Sequence, residues 1–325
     1  MNEFEIDKRA MRNAFSKAAA HYDTSAVLQR EVCTRLLERL DYIKLQPVCI
    51  LDAGSGTGWG ARQLGERYKE ADIIALDIAI GMLQAARGTS SLWQKIFGVG
   101  KVSSNQKRPF VVSPSNYEGP FDKLRANGLF GFYGSKQRFL CADVEALPLA
   151  AQSIDMVWSN CTLQWCNDLP ATMKELHRVI KTDGLVMFST FGPDTLKELR
   201  VAFDGVDGYN HVNRFADMHD IGDMLVAAGF ADPVMEMERI TLTYDDVKAV
   251  MQDLRSIGAR NATAGRAQGM LGKAKWTNIV HNYETLRRDG KLPATFEIIY
   301  GHAWKVQARK TADGRSIIQT PFKLK

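Results

Sequence analysis

The stretch Ile50-Leu51-Asp52-Ala53-Gly54-Ser55-Gly56-Thr57-Gly58 decides the fold class of this chain. An apolar run ends at an acidic residue, three glycines follow at alternate positions, and a periodic segment begins at about residue 61. This order predicts a strand, a tight turn and a helix start, with glycines where backbone must approach a ligand closely. A nucleotide-like cofactor is the natural occupant of such a turn. A plain glycine-rich turn in an α/β protein is the alternative.

Short apolar runs alternate with helical patterns along most of the chain. This alternation predicts an α/β fold with a doubly wound, mostly parallel seven-stranded sheet, helices on both faces, and ligands at the carboxyl ends of the strands. The predicted strands are 48–52, 73–77, 139–142, 154–159, 185–190, 234–242 and 296–306, and the predicted helices between them are 61–68, 80–87, 168–180, 195–203 and 221–228.

Four parts follow from this pattern. Two amphipathic helices precede the first strand, a loop without periodicity interrupts the core, and a helical insertion separates the last two strands. The predicted parts are an N-terminal helical lid over 1–43, a core over 44–244 with an inserted loop at about 98–137, a helical cap over 245–292, and a last strand with a basic tail over 293–325.

Composition excludes several classes of protein. The chain has 325 residues, 45% of them hydrophobic, and no apolar run long enough for a secretory signal or a membrane span. Its five cysteines form no C-x-x-C pair, so neither a disulfide framework nor a metal site is predicted. Eight Lys and Arg residues lie within 88–138, and the rest of the chain is nearly neutral, which argues against nucleic acid as a partner. We expect a cytoplasmic monomer without a membrane partner.

An acidic residue at the end of the second predicted strand supports a nucleoside site. Asp77 follows Gly54 by 23 positions, and a carboxylate there can accept both ribose hydroxyls of an adenosine group. This feature fits NAD and S-adenosyl-L-methionine equally well. The third glycine, however, stands one residue too early for the G-x-G-x-x-G of dinucleotide folds.

The glycine turn resembles motif I of class I S-adenosylmethionine-dependent methyltransferases, which have a Rossmann-like core. Asp143, within Cys141-Ala142-Asp143-Val144-Glu145-Ala146-Leu147-Pro148, resembles the residue that binds the adenine amino group in those enzymes, and its neighbour's backbone reads the ring. Asn160 ends the fourth strand, where the methionine end is expected. The resemblance implies S-adenosyl-L-methionine as the cofactor. The implied cofactor-binding residues are Tyr22, Asp52, Gly54, Ser55, Gly56, Gly58, Asp77, Ile78, Met82, Asp143, Val144 and Asn160.

Further segments narrow the family. The chain resembles the malonyl-acyl-carrier-protein O-methyltransferases of biotin synthesis from about residue 15 to residue 304, apart from the loop at 98–137. The implied reaction is methylation of the free malonyl carboxylate of malonyl-acyl carrier protein or malonyl-CoA. The segments that carry the resemblance are Ala20-His21-Tyr22-Asp23, Leu28-Gln29-Arg30-Glu31-Val32, Ser159-Asn160-Cys161-Thr162-Leu163-Gln164-Trp165, Phe188-Ser189-Thr190-Phe191-Gly192-Pro193-Asp194, His211-Val212-Asn213-Arg214-Phe215 and Tyr300-Gly301-His302-Ala303-Trp304.

Five residues are candidates for the methyl-transfer site. Tyr22 is expected to cover the cofactor, or else to pack the two N-terminal helices together. Gln164 and Trp165 are expected to line the transfer pocket, with plain core packing as the alternative for Trp165. His211 and Arg214 are candidates for holding the malonyl carboxylate or the thioester carbonyl, and a structural ion pair is the alternative for Arg214.

The predicted cap carries the candidate partner surface. Acyl carrier protein is strongly acidic, so a basic face would speed encounter and fix orientation, although a solvated helical face is the alternative. The cations of this face are Arg255, Arg260, Arg266, Lys273, Lys275, Arg287, Arg288 and Lys291. Two other functions stay open: another small-molecule methyltransferase, and a methyltransferase-fold assembly factor that works by binding a protein.

Overall fold

The computed structural model describes residues 4–97, 137–266, 269 and 271–307. Its helices are α1 (Lys8–Ala18), α2 (Tyr22–Ser25), α3 (Val27–Arg39), α4 (Trp59–Arg67), α5 (Ile80–Phe97), α6 (Leu169–Val179), α7 (Lys197–Phe203), α8 (Met218–Ala227), α9 (Val247–Ser256) and α10 (Lys273–Glu284). Its strands are β1 (Cys49–Ala53), β2 (Asp72–Asp77), β3 (Gln137–Cys141), β4 (Ile154–Asn160), β5 (Ile180–Phe191), β6 (Ala231–Tyr244) and β7 (Leu292–Lys305).

The strands form one seven-stranded sheet in the order β3-β2-β1-β4-β5-β7-β6. The first five in chain order pair in parallel, and β7 runs antiparallel to both of its neighbours. The chain leaves β1 toward β2 and β3 on one side and returns to place β4 on the other. In doubly wound sheets, ligands bind outside the carboxyl ends of the strands at such a reversal.

Burial explains why the apolar runs became central strands. Strands β1 and β2 are buried on both faces, as expected for parallel strands covered by helices, whereas the edge strand β6 alternates between exposed and half-buried positions. One core cluster includes side chains of α3 and α4, and the other includes side chains of α6 and α8. Both clusters also contain residues of the central strands.

The predicted α/β architecture is confirmed, and element ends differ from the predictions. Residues 22–25 form the short helix α2, so within the described residues three α-helices rather than the predicted two precede β1. Helix α7 begins at Lys197 rather than at 195, because Leu196 has a φ of 56° and cannot continue a right-handed helix backwards. The insertion between β6 and β7 contains the two helices α9 and α10.

Two predicted features lie largely outside the described residues. The inserted loop at 98–137 is described only at Gln137, which begins β3, and the tail beyond residue 307 is not described. In the part of the chain that is described, no helix is long and apolar enough to cross a membrane. Within those same ranges, no group of His, Cys, Asp and Glu side chains is arranged to hold a metal ion.

Candidate active site

The glycine turn after β1 is held in a conformation that favours glycine. Gly54, Gly56 and Gly58 have φ angles of 81°, 55° and 78°. The amides of Gly54 and Ser55 both donate to the carbonyl of Leu76 at 2.8 Å, which ties the turn to the end of β2. A Cβ on Gly54 would lie 2.0 Å from Thr162 Oγ1 in the loop after β4. The turn therefore packs directly against the loop of the neighbouring strand.

Asp77 connects the ends of β1 and β2. Its Oδ2 accepts from the amide of Gly56 at 2.9 Å, and its Oδ1 accepts from the amide of Ala79 at 2.7 Å. Each carboxylate oxygen can accept a second hydrogen bond, so two hydroxyl groups could still bind. Burial raises the pKa of Asp77 to about 6, while the two amides work in the opposite direction.

Asp52 lies beneath the turn. It is buried, and its Oδ2 has no hydrogen-bond partner in the described structure. Burial, and then the charge of Asp77, raise the pKa of Asp52 to about 7, and a hydrogen bond from the backbone of Ala61 opposes this rise. A Cβ on Gly60 would lie 3.3 Å from both Asp52 Oδ2 and Trp158 Nε1, which places two unpartnered polar atoms around one point.

The glycine turn and Asp77 form one wall of a cavity that we call the strand-end cleft. It has about 620 Å³ of empty volume, counted out to its opening. Its lining residues are Lys8, Met11, Phe15, Tyr22, Gly54, Gly56, Leu76, Asp77, Ile78, Met82, Ala142, Asp143, Val144, Asn160, Cys161, Thr162, Trp165 and Cys166.

Helices α1 and α2 cover the cleft. The Tyr22 ring lies over the glycine turn, since its Cε1 is 4.0 Å from the position that a Cβ on Gly56 would take. Lys8 of α1 reaches Asp143 Oδ1 at 3.2 Å and also pairs with Glu145. Although burial opposes the charge of Lys8, the hydrogen bond with Glu145 and the charge of Asp143 leave its pKa raised. Asp143 therefore lines the cleft with part of its hydrogen-bond acceptor capacity already used by Lys8.

The segment before α1 is clasped by two other parts of the chain. Asn167 Oδ1 accepts from the Ile6 amide at 2.7 Å, and Asn167 Nδ2 donates to the Ile6 carbonyl at 3.0 Å. The amide of Asp7 donates to the carbonyl of Ala262 at 2.8 Å, and the segment forms a bridge at Ile6 and Thr263. The cover of the cleft is therefore joined to the insertion between β6 and β7.

A second cavity, the apolar chamber, adjoins the cleft. It has about 1790 Å³ of empty volume counted out to its opening, and Trp165 lines both cavities. The Trp165 ring packs edge-on against Phe15, with 5.1 Å between centroids. Gln164 also lines the chamber, where its Nε2 donates to the Cys161 carbonyl at 2.7 Å. Most other lining side chains are apolar, including Phe191, Leu196, Leu199, Phe203, Val212, Phe215, Met251, Leu254, Ile257, Leu271, Trp276 and Phe296.

The candidates His211 and Arg214, which lie close together in the sequence, have different surroundings in the structure. His211 lines the apolar chamber, stacks on Phe203 with 3.7 Å between centroids, and bonds Asp207 Oδ1 through Nε2 at 2.7 Å. Arg214 is exposed, and its guanidinium lies 3.9 Å from the centroid of the Phe4 ring. Arg214 is not among the lining residues of the cleft or the chamber.

Most predicted cofactor-binding residues come together in the strand-end cleft. The exceptions are Asp52 near the end of β1 and Ser55 and Gly58 of the glycine turn, which do not line the cleft. Asn160 lines it, but both ends of its amide are engaged, since Nδ2 donates to Gln29 O and Oδ1 accepts from Ser189 Oγ. Sequence reasoning missed Lys8, Met11 and Phe15, although their amphipathic pattern was the available signal that one face of α1 is covered.

The chain was compared with known proteins. A sequence profile described as "Methyltransferase domain" matches residues 122–188. The chain is 62% identical over 325 residues, covering all of both chains, to a malonyl-[acyl-carrier protein] O-methyltransferase of Gallionella capsiferriformans. It is 53% identical to one of Nitrosospira multiformis, covering 94% of this chain and 91% of that one.

This chain belongs to the malonyl-[acyl-carrier protein] O-methyltransferase family. Its fold resembles that of a solved putative methyltransferase from Bacillus halodurans, with a TM-score of 0.51 and 14% identity over 85% of this chain and 99% of that one. S-adenosyl-L-methionine is the cofactor of this methyltransferase domain.

The residues of the cleft fit that cofactor. The carboxylates of Asp77 and Asp143 are hydrogen-bond acceptors of the kind that ribose hydroxyls and an adenine amino group require. A Cβ on Gly56 would point into the space beneath Tyr22, so glycine keeps this part of the cleft open. Anionic side chains near the turn also suit a ligand that carries positive charge.

Proposed function

We propose that this protein transfers a methyl group from S-adenosyl-L-methionine to the free carboxylate of malonyl-acyl carrier protein, as a step of biotin synthesis. The observation that carries this proposal is the 62% identity, over the full length of both chains, to a malonyl-[acyl-carrier protein] O-methyltransferase. The geometry supports it, because a polar cleft that suits the cofactor adjoins a large apolar chamber that can admit an acyl thioester on a long arm.

The reaction makes few chemical demands on the protein. When bound, S-adenosyl-L-methionine supplies an electrophilic methyl group on a positively charged sulfur. A malonyl carboxyl group titrates near the value of about 3.9 known for Asp, so at neutral pH it is ionised without a general base. The protein therefore needs to position the carboxylate and exclude water rather than to transfer a proton.

The chain's own residues account for positioning and for the exclusion of water. Asp77 and Asp143 would hold the adenosine part of the cofactor, and Tyr22 covers the glycine turn. Trp165 forms the wall shared by the cleft and the chamber, so the reacting groups would meet beside its ring. The apolar lining of the chamber favours a transition state in which opposite charges neutralise each other. A strong cationic clamp on the reacting oxygen would stabilise the ground state as well and add little to the rate.

Methyl transfer to the carboxylate can be tested directly. Purified protein is incubated with methyl-labelled cofactor and either malonyl-acyl carrier protein or acetyl-acyl carrier protein, which lacks the free carboxylate. We expect label only on the malonyl carrier, and mild base should release it as methanol. Label that resists base, or label on both carriers, would contradict the proposal.

A genetic test separates the enzyme from an assembly factor. We expect the gene to restore growth of a biotin auxotroph that lacks this methylation step, and a variant at Asp77 that does not bind cofactor to fail. Growth with both versions would indicate a role that does not require methyl transfer. We further propose that the protein acts in the cytoplasm as a monomer with acyl carrier protein as its partner, and that it binds neither nucleic acid nor membranes.

A further inference from the structure

A third cavity, which we call the outer groove, lies between α1 and the segment that follows α9. It has about 1010 Å³ of empty volume, counted out to its opening. Lys17 and His21 line it from the α1 side, and Arg255, Arg260 and Arg266 line it from the other side. Among the described residues, no carboxylate belongs to its lining.

Most of these cations are not neutralised within the described ranges. Arg266 pairs with Asp7 Oδ2 at 3.1 Å and is therefore already compensated. Lys17, Arg255 and Arg260 are exposed, and none of them takes part in an ion pair with another described residue. Three like charges around one groove raise the local positive potential, which favours an anionic ligand there.

The outer groove adjoins the apolar chamber, which in turn adjoins the strand-end cleft. Arg255, Arg260 and Asn261 line both the outer groove and the apolar chamber. Trp165 in turn lines both the apolar chamber and the strand-end cleft. The three cavities therefore lie in sequence from the basic surface, past the apolar chamber, to the cleft that suits the cofactor.

We propose that Lys17, Arg255 and Arg260 bind the phosphodiester of the 4′-phosphopantetheine arm that links the malonyl group to its carrier protein. This inference rests on the proposed function, because it takes the substrate to be carrier-linked. The groups of the arm follow the order of the cavities. Its anionic phosphate would lie in the outer groove, its flexible chain in the apolar chamber, and its thioester beside the strand-end cleft. Guanidinium groups match phosphate oxygens in geometry as well as in charge.

The other cations of the insertion are less suited to this role. Arg287 donates to both carboxylate oxygens of Glu284 at 2.7 Å and to the backbone of Asp245 and Gly290, and Lys291 pairs with Asp245. These contacts join the segment between α10 and β7 to Asp245, directly after the end of β6. The phosphate site is thus assigned to the cations that have no such partners and that border the chamber.

Removing the phosphate from the substrate tests the assignment. Malonyl-phosphopantetheine and malonyl-pantetheine differ only in that group, so the ratio of their kcat/KM values reports phosphate recognition. We expect a ratio of about tenfold in the unmodified protein, which is the size of one charge-assisted contact. In the Arg255→Gln/Arg260→Gln variant, the ratio should fall to near one.

A charge-matched control separates position from net charge. Arg9 and Lys44 are exposed and line none of the three cavities, so Arg9→Gln/Lys44→Gln lowers the net charge equally and should keep the ratio. Lys17→Gln tests the opposite wall of the groove and should lower the ratio in part, and it remains informative if the double variant does not fold.

Binding provides a readout that needs no turnover. By fluorescence anisotropy, we expect the holo-carrier to bind about tenfold more tightly than the apo-carrier, which lacks the arm, and the Arg255→Gln/Arg260→Gln variant to lose this preference. A folded double variant that keeps both the phosphate ratio and the preference for holo-carrier would overturn the assignment. If the double variant loses the preference for holo-carrier but the unmodified protein methylates no malonyl thioester, the proposed function fails and the phosphate site stands.

Discussion

The strand-end cleft and the apolar chamber share the Trp165 wall but are built in different ways. The cleft is formed mainly by loops at the ends of β1, β2, β3 and β4, where backbone amides and carboxylates occupy positions fixed by the sheet. The chamber is formed by side chains from segments as far apart as Gln29 and Phe296, and most of them are apolar. A small change of backbone should therefore disable the cleft, whereas the chamber should adapt to moderate changes of shape.

The largest expected effect is that of a side chain on Gly54. Gly54→Val places a branched side chain at a φ of 81° and against Thr162, so we expect cofactor affinity to fall by more than about 100-fold. Calorimetric titration with S-adenosylhomocysteine measures this loss. Gly208→Ala is the control, because a Cβ there has no neighbour within 4 Å among the described residues and the φ of Gly208 is not positive.

A double variant separates the two causes of that loss. Gly54→Ala/Thr162→Ala removes the overlap with Thr162 but keeps the unfavourable φ. We expect its affinity to lie between those of Gly54→Ala and the unmodified protein. Equal affinity of Gly54→Val and the unmodified protein would show that the turn adapts as readily as the chamber.

Asp77 should give a pH dependence that chamber residues lack. The pKa of Asp77 is raised to about 6 and that of Asp52 to about 7, so the folded protein without cofactor binds more protons than the unfolded chain between about pH 4 and pH 7. Its stability should therefore be greatest at the acidic end of this interval and decrease as pH rises through it. Cofactor affinity should rise over the same interval, because the ionised carboxylates suit a cationic ligand.

Asp77→Asn tests this linkage. The variant keeps the shape of the side chain and cannot ionise, so it should flatten the decrease in stability and weaken cofactor binding at pH 8 by about tenfold or more. Urea unfolding and calorimetry at several pH values measure both quantities. A conservative change in the chamber, Met251→Leu, serves as the control. If Asp77→Asn keeps the pH profile of the unmodified protein, as Met251→Leu should, the burial of these carboxyl groups does not govern the pH dependence of stability.

The smallest expected effect concerns the clasp over the cleft. Asn167→Ala removes both hydrogen bonds to the backbone of Ile6, and we expect the cofactor to dissociate about fivefold faster. Asn167→Asp keeps the acceptor and loses the donor, so its rate should be intermediate. Stopped-flow displacement measures the rates, with Thr277→Ala, which removes a side-chain hydrogen bond to a backbone carbonyl in α10, as the control. An unchanged rate in Asn167→Ala would mean that the cover opens without breaking this contact.

The sequence predicted the parts of the site that depend on local order along the chain. Three of these parts require only a strand followed by a loop: the glycine turn, the strand-end carboxylate of Asp77 and the motif around Asp143. Parallel strands then place these loops side by side, because their carboxyl ends lie at the same edge of the sheet. The same reasoning could not tell which residues of the turn face outward, so Asp52, Ser55 and Gly58 were grouped with residues that line the cleft.

Long-range contacts account for what the sequence could not predict. Asn167 meets Ile6 across 161 positions, and no local pattern indicates that pairing. His211 and Arg214 were grouped because they share a polar loop, yet the structure places His211 on the chamber wall and Arg214 over Phe4. Their separation depends on how the loop packs, which hydropathy along the chain does not encode.

The pairing of β6 with β7 has a consequence for how this enzyme could diversify. Tyr244 and Leu292 are register partners at the end of that ladder, so the insertion leaves and re-enters the sheet at neighbouring positions. A tight hairpin could join those two positions without altering the strand order. The region that supplies much of the chamber could thus be exchanged between relatives to alter the acyl group that is accepted, provided that the contacts of Ala262 and Thr263 with the segment before α1 are kept.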